Sequence, residues 1–172
     1  MATLVFDYFL YFKDSLISKD TNMSVQDDLI EILDYAHFWN WAPDWDVVRE
    51  IYKKAPTSYS VLTPFAYSYL EEMIRSTTSE YSMPLYMRDG TPVTVKRGNA
   101  LIDLAIKENH ENAEYVELLE QMRGYFKSIK DTTDSNTRNK VMHGRVHPRF
   151  WSKESFEQLI HDIALLSKHS KF

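Results

Sequence analysis

Apolar residues recur at spacings of three and four through most of this chain, and only four glycines interrupt them. That period belongs to helices with one face turned to a core, not to the alternation of half-buried strands. The expected class is all-α. Ser24 stands where an N-cap belongs, and after it Val25, Leu29, Ile32, Leu33 and Ala36 share one helical face. "HFWNWAPDW" follows as an aromatic turn closed by Pro43, with Asp44 as the cap of a short helix through Val47, Val48, Ile51 and Tyr52 that Pro56 stops. Thr63-Pro64 reads as N-cap and first residue of the next helix, which "FAYSYLEEMIRS" continues. "MPLYMRDGTPVTV" breaks the period. Asp89-Gly90 between short β-favouring runs predicts a small hairpin around residues 83–95, with Pro92 confining one arm to an edge.

Helical spacing returns from Asn99 to about Lys107 and from Ala113 to Ile129, where Tyr115, Leu118, Leu119, Met122 and Phe126 share a face. A last helix, capped by Ser152, turns Phe156, Leu159, Ile160, Ile163 and Leu166 inward, and its basic end (Lys168, His169, Lys171) suits a helix C-terminus. No repeat or linker divides the chain, so residues 1–172 are expected to form one helical domain, long enough to bury a core without staples. The start, from Leu4 to Ile17, reads as a buried aromatic helix. It lacks a basic leader, and Asp7, Lys13 and Asp14 interrupt it, so a signal peptide is not expected. No stretch reaches the roughly 18 apolar residues of a membrane helix, and no cysteine is present for disulfide or thiolate chemistry. A cytoplasmic protein is the expectation.

The net charge of −5 conceals two unlike parts. Residues 1–122 hold ten Lys/Arg against twenty Asp/Glu, whereas residues 123–172 hold ten against five. A local positive field attracts a polyanion even on an acidic protein, although an acidic part and a basic part of one chain also match each other.

The basic part contains "SNTRNKVMHGRV". If "RNKVMHG" is helical, Asn139 and His143 lie one turn apart on one face, and Arg138 reaches the same neighbourhood only through its long side chain. An imidazole suits proton transfer near neutral pH, and a guanidinium offers a planar fork to phosphate oxygens. "RNKVMHG" resembles the signature of HEPN-domain proteins: an Arg, a polar residue, and a His four to six residues after the Arg, often followed by Gly. The likeness spans roughly residues 60–170, leaving the first 60 residues without a counterpart. It implies a HEPN-like helical bundle and a metal-independent RNA endonuclease without cofactor, in which Arg138 binds the scissile phosphate, His143 transfers protons and Asn139 supports both. It further implies a homodimer with paired motifs in one cleft, an acidic residue on a flanking helix (Glu72 is the expected one), a toxin or phage-defence setting, and an antitoxin or regulatory partner.

The same letters admit a structural reading. Met142-His143-Gly144 is also a helix stop, with Gly in the left-handed position, and Arg138 then pairs with Asp134 or Glu154. A non-catalytic helical module that binds RNA, a nucleotide or a protein partner is the corresponding alternative. His143 and His147 have a zinc-like spacing, but Gly144 and Pro148 oppose a regular helix across them. Phe38, Trp39, Trp41 and Trp45 are expected to close the core more than to stack bases. Thr132, Thr133, Ser135 and Thr137 read as a solvated turn, or as a run that receives a modification or substrate. No glycine-rich phosphate loop or nucleophile elbow is present.

Overall fold

The computed structural model describes residues 24–37, 39–127 and 137–171. The expected helix from Leu4 to Ile17, Phe38, Ile129 and the polar residues Thr132, Thr133, Asp134 and Ser135 lie outside the described residues. Within them are seven α-helices: α1 (Val25–Tyr35), α2 (Ala42–Lys54), α3 (Tyr59–Ser76), α4 (Asn99–Glu108), α5 (Ala113–Met122), α6 (Arg138–Met142) and α7 (Lys153–Ser167). Short 3-10 turns at Pro56–Ser58, Arg123–Phe126 and Pro148–Phe150 join some of them. The described residues are mostly helical, as the periodicity predicts. None of these helices is long and apolar enough to cross a membrane.

Local chemistry sets the helix ends. Ser24 and Asp27 form a reciprocal capping box, Ser24 N–H donating to Asp27 Oδ2 at 2.9 Å and Asp27 N–H to Ser24 Oγ at 3.4 Å. Ser152 Oγ accepts from Ser155 N–H at 3.1 Å and starts α7 as expected. Two starts differ from expectation. Helix α2 begins at Ala42, so Asp44 lies in its first turn instead of capping it, and Pro43 occupies a position that needs no N–H donor. Helix α3 begins at Tyr59, which leaves Pro64 inside it. The proline removes the bond to the Ser60 carbonyl and no other. The Thr63 hydroxyl donates to the Tyr59 carbonyl at 2.7 Å, so Thr63 bonds within the helix and caps nothing.

Helix α7 is the hub: it packs against α1, α3 and α5, while α3 also carries α4 and α6. Phe156, Leu159, Ile160, Ile163 and Leu166 all face inward, as the spacing predicts, against Leu29 and Ile32 of α1 and a core that includes Leu70, Met73 and Ile74 of α3. Each such side chain contributes about 1.5–3 kcal/mol by leaving water. The aromatic cluster divides. Trp41 and Trp45 present edges to Phe65 and Tyr69 at centroid distances of 5.0–5.7 Å and close the core, whereas Trp39 is exposed.

The expected hairpin does not form as a pair of strands, and no strand is found among the described residues. Asp89-Gly90 does turn the chain: Gly90 has φ +84°, and Asp89 Oδ1 accepts from Thr91 N–H at 2.9 Å. The arms meet in one antiparallel bridge, Tyr86 to Pro92. Pro92 cannot donate to a ladder, and residues 82–92 are all exposed, so nothing covers a face that would extend the pairing.

Polar contacts tie the outer elements to α7. Tyr52 donates to Glu157 at 2.8 Å, His161 Nδ1 lies 3.2 Å from Asp28 Oδ1, and Tyr125 donates to Asp162 at 2.5 Å. Burial holds the Asp162 carboxyl above its ordinary value of 3.8, outweighing the hydrogen bonds from Tyr125 and Gln158 that act the other way. The folded chain therefore binds this proton more tightly than the unfolded chain does. The stability contribution is complete below pH 3.8 and is lost as pH rises through the folded value. Asp162→Asn keeps an oxygen for Tyr125 and has no proton to lose. In urea melts across the acid range, the stability of wild type minus that of Asp162→Asn should fall from pH 3.8 upward and then level. A difference that climbs with pH would refute this assignment.

Candidate functional site

Helix α6 has five residues, too few to stand alone in water, so its position is dictated by what holds it. Val141 is buried in the core, and Lys140 is buried beside it. At the C-terminal end the Gly144 N–H donates to the Val141 carbonyl at 3.1 Å and the Arg145 N–H to the Lys140 carbonyl at 2.9 Å, with Gly144 at φ +61°. This is a Schellman stop. The helix-stop reading of Met142-His143-Gly144 is therefore met in full, and it fixes where His143 stands: at the cap, exposed, its N–H bonded to the Asn139 carbonyl at 3.2 Å.

Arg138 opens α6 and turns toward α3. Its Nη2 donates to Glu71 Oε2 at 2.6 Å, with the two side chains 18% and 11% exposed. Glu71 Oε1 also faces Arg75 Nη2 at 3.9 Å, so one buried carboxylate lies between two guanidinium groups. Arg75 Nη1 in turn meets Glu80 Oε2 at 3.1 Å and the Lys96 carbonyl at 3.0 Å, and Glu80 accepts from the Lys96 N–H at 2.8 Å. A ladder of alternating charge thus runs from Arg138 through Glu71, Arg75 and Glu80 to the segment before α4. Arg138 does not pair with Glu154, whose carboxylate accepts from Ser152.

On the flanking helix Arg138 meets Glu71, whereas the expected acid is Glu72. Glu72 lies on the more exposed side of α3, 3.8 Å from Arg75 Nε, and makes no contact with Arg138. A sequence signal for this exists. Glu71 is one turn after Tyr67 and three residues before Ile74, on the buried stripe of α3, whereas Glu72 follows Ser68 on the outer one.

Asn139 meets Arg138, as expected of a supporting residue, but not the imidazole. Its Nδ2 donates to the carbonyls of Phe126 at 3.3 Å and Lys127 at 3.0 Å, and its Oδ1 accepts from Arg138 Nη1 at 3.4 Å. Asn99 donates to the same Phe126 carbonyl at 3.4 Å. The amide therefore clamps α6 to the 3-10 turn after α5 and holds neither the imidazole nor an open face. Arg138, Asn139 and Glu71 are brought together. No hydrogen bond or ion pair among the described residues joins the His143 side chain to them, and no group of three metal-ligating side chains is found among those residues.

The Gly144 stop can be tested directly. A Cβ added there meets nothing within 4 Å, so Gly144→Ala bears only the left-handed backbone cost, about 1 kcal/mol. Gly144→Asn should cost less, since Asn tolerates that region. Urea unfolding that finds Gly144→Ala as stable as wild type would contradict the Schellman assignment. Comparison of the chain with protein-family models, curated proteins and solved structures finds no match.

Proposed function

We propose that this chain is a metal-independent RNA endonuclease of HEPN type. The observation that carries the reading is the pairing of Arg138 with buried Glu71 at one end of α6 while His143 stands exposed at the other. A guanidinium held by a carboxylate is ordered before substrate arrives, and its remaining N–H groups can meet a phosphate oxygen. An exposed imidazole takes or gives a proton at a 2′-hydroxyl or a 5′ oxygen. In the reaction the 2′ oxygen attacks the adjacent phosphorus, the bond from phosphorus to the 5′ oxygen breaks, and the proton leaving the 2′ oxygen is balanced by one delivered to the 5′ oxygen. The products are a 2′,3′-cyclic phosphate and a 5′-hydroxyl.

One imidazole does not serve both transfers at the same moment. The reading therefore includes a homodimer in which the second copy brings its own His143, and a toxin or phage-defence role in which an antitoxin or regulatory protein restrains the activity. A second reading, a non-catalytic helical module that binds RNA, a nucleotide or a protein, is favoured by one fact. Three residues of "RNKVMHG" have a structural duty: Arg138 pairs with Glu71, Asn139 clamps Phe126 and Lys127, and Gly144 stops the helix.

One assay separates the readings. Purified protein with RNA in excess EDTA should cut, leaving cyclic-phosphate ends. His143→Ala should lower the rate by about 100-fold or more with the fold retained, Arg138→Ala should lower it as far while also loosening α6, and sedimentation should give a dimer. Cleavage that survives both substitutions, or an active monomer, sinks the catalytic reading. RNA bound but never cut establishes the second.

A further inference from the structure

Residues 4–17 lie outside the described residues, and in the sequence ten of these fourteen are apolar, five of them aromatic. Surface of that kind is driven out of water and needs a cover. The cover has to lie within reach of Ser24, where the chain enters α1. Residues 18–23 span about 20 Å at most, which sets the length of the tether.

Ser24 stands at a definite end of the bundle. Asp28, one turn into α1, meets His161 of α7, and Glu157, one turn earlier on α7, accepts from the Tyr52 hydroxyl. The last turn of α2 is therefore beside the first turn of α1, and the Pro56–Ser58 turn brings the start of α3 to the same end. Four aliphatic side chains on these three helices, Ile30, Val47, Ile51 and Val61, are 40% to 71% exposed. Val47 and Ile51 are one turn apart and share the outer face of α2. The exposed apolar arm at residues 83–87 is far from this end, since it follows the other end of α3, about 25 Å along that helix.

We propose that residues 4–17 dock on the outer face of α2 of their own chain, over Val47 and Ile51. Reach and chemistry choose this occupant: an apolar segment is tethered where an apolar face stands open. A tether this short holds the segment near its seat at about millimolar effective concentration, an advantage that a separate partner lacks. The docking does not depend on the chemistry of α6, so its failure leaves the nuclease reading where it stands.

The test uses the full chain. With isoleucine and valine methyl groups isotope-labelled, nuclear Overhauser contacts should join Val47 and Ile51 to ring protons of Phe6, Tyr8, Phe9, Tyr11 or Phe12. Val47→Lys combined with Ile51→Lys should speed tryptic cleavage after Lys13 about tenfold or more, because the cut follows the undocked fraction. Leu85→Lys, on the distant arm, should leave that rate unchanged. Absence of the methyl-to-ring contacts overturns the proposal, as does a cut after Lys13 that the double variant does not hasten or that Leu85→Lys hastens equally. Contacts seen only between labelled and unlabelled copies in a mixed sample assign the segment to a second copy and also overturn it.

Discussion

A carboxylate buried between two guanidinium groups organises one whole side of this protein. Glu71 accepts from Arg138 at 2.6 Å and faces Arg75 at 3.9 Å, and both arginines are mostly covered. Removing the only partner of a buried charge costs about 3–5 kcal/mol, and loss of Arg138 costs less than that because Arg75 still faces Glu71. Glu71 is placed by the apolar stripe of α3, so its ion pair joins that stripe to α6 beside the buried Val141. The same carboxylate extends through Arg75 to Glu80 and Lys96, so the exposed turn at residues 82–92 is tied to the helix that carries Arg138.

The consequence for chemistry lies in how short α6 is. Five residues do not hold a helix by themselves, and this one is held by Val141 in the core, Asn139 on the Phe126 and Lys127 carbonyls, the Glu71 pair, and the stop at Gly144. These restraints leave the His143 side chain facing out at the cap. A structural duty does not by itself preclude a chemical one for this segment. The interactions that make "RNKVMHG" a stable helix end are those that order its guanidinium and present its imidazole.

What was legible in the sequence was local. The caps at Ser24 and Ser152 and the inward face of α7 follow from neighbours three and four apart, and they stand as read. The start of α3 was not legible from Thr63-Pro64, because a proline near the beginning of a long helix removes one bond to Ser60 and is tolerated there. The hairpin failed for want of anything covering its face. The partner of Arg138 was missed for another reason: it lies 67 residues away, and no local pattern carries a contact of that range. Glu71 and Glu72 differ in the sequence only by their phase on α3, and the apolar stripe, had it been followed through Tyr67 and Ile74, points to Glu71.

The Glu71–Arg138 pair links α3 to α6 and the candidate site, and a double-mutant cycle reads that link alone. Stability is measured for wild type, Glu71→Ala, Arg138→Ala and the double variant. The predicted coupling is about 1–3 kcal/mol, each single change costing more than it does once the other partner is gone. Additive losses, with a coupling below about 0.5 kcal/mol, would mean that the pair does not hold α6 in place, and the reading of this side of the protein would fall with it.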